Sequence, residues 1–548
     1  MLFEDILLNV FHNFIAATPR TWPILTWVCR RWRQIVFASP LGLNLQLYCS
    51  YGTPVLETLD LWPALPVIIE YGGIPVLDPP APEDDDNIIS ALKQSGRVRT
   101  INLTVTSSLL EKLSSISEPL SELEELVLLS QDKVQQIFPS TFLWGPRLRT
   151  LHSTRIAIFS LPPLLLPCHD LVDLQLHEIP SSGYFSPEAF TNALSGTPQL
   201  RSLTLHLLSF PRRRSYLGLP PAPGERIVLA ALIHLRYRGT SKYLDSFVGR
   251  VDAPRLGDID ITLFCQPTMD AVQLGQFIQR TEIHTSLGRA EVETSAHAIS
   301  ISFTKSGVFT KVSTPLRLQI SCKQFDWQLS CMAQICDQIS PFLLHVGNLR
   351  INAAQAPDEQ DGVGGEQWLD LLLSFKFGTA TSLSVNGKLT ADILCALGPA
   401  NEGNIAILPS LRQVYLIEPM AMDGPSWDSV QSFITARWIS GRPVLVKAPS
   451  YPCHICHSSF EEHGLKRHLR DKHRYKIVCS YCSDFECKGH HKLFPKHLES
   501  KHPEIALNDA FVSMPSLTRL QLSDLVYRHS SLRAPDVVPP PHASESTE

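Results

Sequence analysis

Leu171-Val-Asp-Leu-Gln-Leu176 and Leu200-Arg-Ser-Leu-Thr-Leu205 are two statements of one phrase. Five more stretches repeat it: Val98 to Leu103, Leu123 to Leu128, Leu148 to Leu151, Leu232 to Tyr237 and Leu256 to Ile261. From Val98 onward the starts lie 25, 25, 23, 29, 32 and 24 residues apart. An apolar residue at every second position over so short a run predicts a strand with one buried face. One such unit cannot bury its leucines alone, so the units are expected to stack and share a core.

This spacing and phrase resemble the leucine-rich repeat, whose period is about 20–29 residues. The resemblance implies an α/β solenoid over 95–445, degenerate after about Ala298, with a strand and a return segment per repeat. The repeats mostly lack the asparagine usual after the strand, so the array is expected to be irregular. Ile299, Ile301 and Phe303 alternate, as do Leu316, Leu318 and Ile320, and predict strands. Leu349 to Ile351, Leu383 to Val385 and Leu411 to Leu416 read as degenerate units. Apolar spacing over Trp427 to Ile439 predicts a helix sealing the end of the array. Pro211-Arg-Arg-Arg214 is expected in a loop, read as solvated or as a contact, and Asp358 to Gly365 in an exposed acidic one. The interval 49–94 reads as a linker, with a mobile polar loop from Pro79 to Asp86.

Ahead of the repeats lies a short apolar segment, expected as a helical domain over 1–48. Ile6, Leu7, Val10, Phe11, Phe14 and Ile15 fall on one helical face, and Thr18-Pro19 ends that helix. Thr21 reads as a cap for a second helix with Pro23 in its first turn. Leu25, Val28, Cys29, Trp32, Ile35 and Val36 form its stripe, with Cys29 expected as a small buried group and Arg30, Arg31 and Arg33 in water. Ser39-Pro40 stops it. The segment resembles the F-box motif at Leu2, Asp5, Ile6, Leu7, Val28, Cys29, Arg30, Arg31, Trp32, Ser39 and Pro40, with Phe3 where the family usually has proline. The match starts with the chain, which suggests a longer native N-terminus. The resemblance implies docking on the Skp-type adaptor of a cullin-RING ubiquitin ligase, through Ile6, Leu7, Val10, Leu25, Val28, Trp32 and Ile35. It also implies that the repeats hold an unidentified protein substrate. The alternative reading is a helical cap that seals the first repeat, but a cap does not need Val28-Cys-Arg-Arg-Trp32 followed by Ser39-Pro40.

Near the C-terminus, Cys453-x2-Cys456 precedes His468-x4-His473 by eleven residues, and Cys479-x2-Cys482 precedes His497-x4-His502 by fourteen. Two thiols and two imidazoles at this spacing suit a closed tetrahedral zinc site. The segments resemble tandem two-cysteine, two-histidine zinc fingers of ββα type, over 451–474 and 477–505. They imply about two structural zinc ions. Cys487, His490 and His491 read as solvated or as neighbours of the ligands, with competition for the second ion as the lesser alternative. At the positions that usually face bases, finger one offers Glu461, His463, Gly464 and Arg467, of which only Arg467 suits guanine. Structural or protein-binding fingers are therefore preferred to base reading, with nucleic acid as the alternative partner. Residues 506–548 are read as a short helix and a disordered tail.

Composition bounds the rest. At 548 residues, 44% hydrophobic and 18% charged, the chain can bury a large core. A net charge of −5 gives no global pull toward polyanions. No apolar run is long enough for a membrane span, and the N-terminus lacks the basic region of a signal peptide. Of thirteen cysteines, five sit between Cys453 and Cys487 at metal-like spacing, which suits a reducing compartment, cytoplasm or nucleus. No nucleophile–base pair or phosphate-cradling loop is recognisable, so the chain is not expected to be an enzyme.

Overall fold

The computed structural model describes residues 4–447, apart from 72–81, 131–135, 138–144, 209–225, 306–313, 354–364, 399–406, 418–424 and scattered shorter gaps; beyond 447 it describes four two-residue strands. The fold is mixed α/β with a large, mostly parallel sheet. The chain divides into two compact units, Met1–Ala380 and Thr381–Glu548. Among the described residues, no helix is long and apolar enough to cross a membrane.

In the first unit, all seven leucine phrases supply strands. They are β3 (Val98–Val105), β4 (Glu125–Ser130), β5 (Thr150–Thr154), β6 (Asp173–Ile179), β7 (Ser202–Leu207), β8 (His234–Gly239) and β9 (Asp258–Phe264). Each pairs in parallel with the next, and the register places like positions side by side: Leu103, Leu128, Ser153, Leu176, Leu205, Tyr237, Ile261. Leu126, Leu174, Leu203 and Ile259, one row over, are likewise buried. Polar residues between them face the other side of the sheet.

The interval 49–94 is not a linker. It contains β1 (Leu47–Ser50) and β2 (Val67–Tyr71), which pair in parallel with each other and with β3. Both strands are mostly apolar without the leucine spacing of the phrases. The polar stretch before Val98 is partly helical: Pro82 to Asp86 opens an eleven-residue helix, and Asp85 in its first turn is buried, 3.3 Å from Lys112. An acidic first turn favours a helix through the backbone dipole.

Helices return the chain between strands: α4 (Val55–Leu59), α5 (Pro82–Leu92), α6 (Ser107–Ser114), α7 (Leu161–Leu165), α8 (Pro187–Leu194), α9 (Ser241–Val248), α10 (Val272–Gln279), α11 (Phe325–Ile339) and α12 (Gly365–Ser374), numbered after three N-terminal helices. From α7 to α12 each packs on the next. Ser186 and Thr240 cap α8 and α9 by accepting from Ala189 N and Tyr243 N. Side chains also tie one return segment to the next. Asp245 of α9 accepts from Gln273 N and Leu274 N at the start of α10. Gln334 and Gln338 of α11 accept from Met269 N and Ala271 N.

Beyond β9 the chain order changes. β10 (Leu287–Ser295), β11 (Ala298–Lys305), β12 (Leu316–Ser321) and β13 (Asn348–Ala353) follow in sequence, but β9 pairs with β12 in parallel. β11 lies between β12 and β10, antiparallel to both, and β10 pairs in parallel with β13. Irregularity therefore begins at Leu287, ahead of Ala298. Buried Gln328 on α11 donates to Ser295 O and Cys322 O, holding the β10–β11 turn.

The second unit contains β14 (Ser382–Val385), β15 (Gln413–Leu416) and β16 (Leu445–Lys447), paired in parallel in that order. α13 (Thr390–Ala396) packs on α14 (Pro425–Ile439). α14 does not close the array, because β16 follows it. Its Arg437 is buried and donates to Leu411 O at 3.1 Å, so a cation stands where the spacing suggested only apolar contacts.

Phe190 of α8 is fully buried between Phe185 and Phe247, at ring centroid distances of 4.7 and 5.7 Å. Phe190→Ala is expected to destabilise the first unit by about 3–5 kcal/mol through lost burial and the cavity left. Urea unfolding followed by circular dichroism measures it.

Candidate functional site

The N-terminal segment folds as α1 (Glu4–Ala17), α2 (Pro23–Val28) and α3 (Arg30–Ala38). The second predicted helix is thus two. Cys29 interrupts it with extended backbone (φ −161°, ψ 168°) and caps α3, its sulfur accepting from Trp32 N at 3.5 Å. Cys29 is exposed, against the expectation of burial. Thr21 ends a 3-10 turn, and Trp22 stands at the N-cap of α2 without a side-chain cap bond.

The break sorts the seven expected anchors. Leu7, Leu25 and Ile35 are buried inside the segment and are core residues. Trp32 is half-buried, edge-on to Phe11 at 4.8 Å. Ile6, Val10 and Val28 are exposed, at 45%, 51% and 55%. Two further apolar residues share the α2 face with Val28: Ile24 at 48% and Trp27 at 70% exposure. The sequence reading missed both, because a continuous helix would have turned them away from the Leu25–Val36 stripe. The signal present was the i, i+3, i+4 spacing of Ile24, Trp27 and Val28.

The buried side of the segment is fastened to the first strands. Trp22 donates from Nε1 to Gln46 O at 2.7 Å, and its ring meets Trp62 edge-on at 5.0 Å. Phe37 packs on the same Trp62 at 5.6 Å. Arg20 pairs with Glu70 of β2 and lies over the Tyr48 ring. With this support inboard, α1 and α2 still present apolar side chains to water, an arrangement typical of a surface that another molecule covers.

The polar side of the sheet is a second candidate surface. Across β5, β6 and β7 a continuous chain of hydrogen bonds runs from His152 Nε2 to Asp173 Oδ2 (2.8 Å), to Gln175 (2.8 Å), to His177 (3.1 Å) and to His206 (3.1 Å). Burial pushes the Asp173 carboxyl up, but hydrogen bonds from His152, Ser202 and Gln175 outweigh it and hold the pKa below the usual range. Burial, with the His152 charge, lowers His177. Burial, with the charges of His177, Arg238 and Arg236, brings His206 down to about 4. Exposed Arg236 and Arg238 continue the surface on β8, and Asp260 lies on β9, where burial raises its carboxyl against Arg317 and Arg236. At the strand starts, Arg147, Arg149, Arg201, Glu124, Asp170 and Gln199 line a groove of about 540 Å³. These groups can hold a polar, charged segment of a partner protein. Pro211 to Arg214 lies outside the described residues.

In the second unit, Tyr451–Pro452 and Ser459–Phe460 form an antiparallel hairpin, as do Ile477–Val478 and Glu486–Cys487. In the sequence, Cys453 and Cys456 come between the first two strands and Cys479 and Cys482 between the second two. The eight expected ligands, Cys453, Cys456, His468, His473, Cys479, Cys482, His497 and His502, themselves lie outside the described residues, as does the 506–548 tail.

No family model matches the chain, and no curated protein matches its sequence.

Depressed imidazole pKa values give a signed pH effect. The unfolded chain takes up a proton near pH 6.5 that folded His206 refuses down to about pH 4. Stability is therefore complete above the unfolded value and is lost as pH falls between the two. Between about pH 7 and pH 5 the melting temperature should drop, and His206→Gln should reduce the drop; an unchanged pH dependence in the variant would remove His206 from the account.

Proposed function

We propose that this chain is the substrate-recognition subunit of a cullin-RING ubiquitin ligase. In this reading the N-terminal helices are an F-box that docks on the Skp-type adaptor, and the repeats hold the protein to be modified. The observation that carries it is the exposed apolar face of α2 (Ile24, Trp27, Val28), at the head of the Val28-Cys29-Arg30-Arg31-Trp32 motif. A cap on the repeats would bury that face, whereas a plug must present it. Large aromatic residues at such positions dominate protein interfaces.

The chain's part in the reaction is positional. The adaptor side fixes the chain to the ligase, and the polar sheet surface fixes the substrate near the transfer site. Chemistry is supplied by the ligase partners, and the chain itself is not an enzyme. The fingers belong to the same reading as small metal-folded modules. Cys453, Cys456, His468 and His473 would hold one zinc ion, and Cys479, Cys482, His497 and His502 another; zinc supplies the folding energy of so small a unit.

Trp27→Ala separates docking from folding better than Trp32→Ala, because Trp32 packs on Phe11 and Trp27 on solvent. Trp27→Ala should weaken binding to a purified Skp-type adaptor by about 2 kcal/mol or more, roughly thirtyfold, with unchanged circular dichroism. Calorimetry on the full chain reads it. Wild-type chain that fails to bind at micromolar concentration sinks the proposal, and equal affinity of the variant sinks the assignment of Trp27.

Elemental analysis of the purified chain should return about two zinc ions, and replacing Cys453 and Cys456 by serine should remove one of them. A wild-type value of one would mean that the second finger does not close as read.

A further inference from the structure

Three cysteines far apart in sequence meet in the first unit. Cys265 follows β9 directly, Cys322 follows β12, and Cys331 lies within α11. Cys265 Sγ is 3.4 Å from Cys331 Sγ, in direct contact. Cys265 also shares a hydrogen bond with Cys322. Cys331 also donates to Gln266 O at 3.3 Å, which fixes its sulfur beside the end of β9. Exposure is graded: Cys331 is 1% exposed, while Cys265 and Cys322 are half-buried and within reach of a small molecule.

The frame around the pair is rigid. Gln328, Gln334 and Gln338, all on α11, bond to backbone groups of the neighbouring segments: Gln328 to Ser295 O and Cys322 O, Gln334 and Gln338 to Met269 and Ala271. The helix is thus held at both levels of the cysteine cluster. Bringing the sulfurs to a bond of about 2.05 Å requires side-chain rotation and a closure of little more than 1 Å. The remaining described cysteines differ. Cys336, on the same helix, is buried, Cys49 and Cys168 hydrogen-bond to carbonyls, and Cys29 and Cys395 are exposed.

We propose that Cys265 and Cys331 are an oxidisable pair, a modification site at which a peroxide installs a disulfide between the end of β9 and α11. The half-buried Cys265 reacts first. Its thiolate attacks one oxygen of hydrogen peroxide, the O–O bond breaks, and the departing hydroxide leaves as water after gaining a proton. The sulfenic acid so formed on Cys265 is attacked by the Cys331 sulfur; its S–O bond breaks, an S–S bond forms, and a second water leaves. Two thiols are oxidised by two electrons in total, and one peroxide is reduced to two waters. Burial, reinforced by hydrogen bonds that the Cys265 thiol makes to Cys331 and Cys322, raises that thiol well above its ordinary value. The thiolate is therefore scarce at neutral pH, and the reaction is slow and accelerates as pH rises. The product closes a loop of 66 residues and pins the helix that crosses the reversed strand.

The full chain is exposed to hydrogen peroxide, remaining thiols are alkylated, and a non-reduced peptide map is read by mass spectrometry. The expected result is a Cys265–Cys331 linked peptide lighter by two hydrogens, present in most chains, removed by dithiothreitol and formed faster at higher pH. The finger cysteines lie on other peptides and do not confuse the map. Cys322→Ser should retain the link, and its folding is checked by circular dichroism. A Cys265–Cys322 link in the wild-type chain overturns the proposal. So does Cys265 oxidised beyond sulfenic acid while Cys331 remains alkylatable.

Discussion

Strand register is the constraint on which the first unit depends. Side chains alternate across a sheet, so a slip of one residue between neighbours would exchange the buried leucines for the polar row. From β3 to β9 the register holds through the buried row: Leu126, Leu151, Leu174, Leu203, Leu235 and Ile259 stand side by side. The single irregularity, between β6 and β7, comes after that row, at Leu176/Ile179. One invariant therefore creates both surfaces of the sheet. The buried side receives the return helices, and the open side aligns His152, Gln175, Thr204, Arg236 and Asp260 in a single polar row. A partner bound there would contact a surface that the core packing itself has set.

The reversed strand shows how that rule is relaxed without breaking the core. β11 runs against both neighbours, yet Ile301 and Phe303 keep their side of the sheet beside Leu318, Leu316 and Val292. Antiparallel pairing satisfies the backbone as well as parallel pairing does, and direction is free so long as the buried face is kept. What direction changes is the connection. β12 must reach β13 by passing over two strands, and the fifteen-residue α11 spans that gap. Its length suits that span, and the sulfur pair lies where this helix meets the end of β9.

How much of this was legible depended on the kind of signal. The seven phrase strands were readable because each carries its own alternation. β1 and β2 were not: Val67-Ile-Ile-Glu-Tyr71 has apolar residues at successive positions, and the nearby Trp62-Pro63 and Tyr71-Gly72-Gly73 read as a folded linker. The reversal of β11 was invisible, since alternation marks a strand and a face without marking direction. The break at Cys29 was hidden for the opposite reason. Leu25, Val28, Trp32 and Ile35 keep helical spacing across it, so periodicity predicted continuity where the backbone turns to β geometry. The polar network of His152, Asp173, Gln175, His177 and His206 arises from residues 21 to 29 positions apart, which only the register brings together.

The break at Cys29 carries a further consequence for the N-terminal segment. In a single helix, one stripe would have had to serve both the interior and a partner. Division into α2 and α3 lets Leu25, Ile35 and Val36 fill the interior while Ile24, Trp27 and Val28 stay outside. Trp22, Phe37 and Trp62 then fix the inner side to the start of the sheet. The interior and the exposed apolar face thus draw on different residues of the same short segment. A chain whose apolar surface were needed only for its own stability would have no reason to keep the two sets apart, because leaving a tryptophan 70% exposed forgoes the burial that stabilises the rest of the fold.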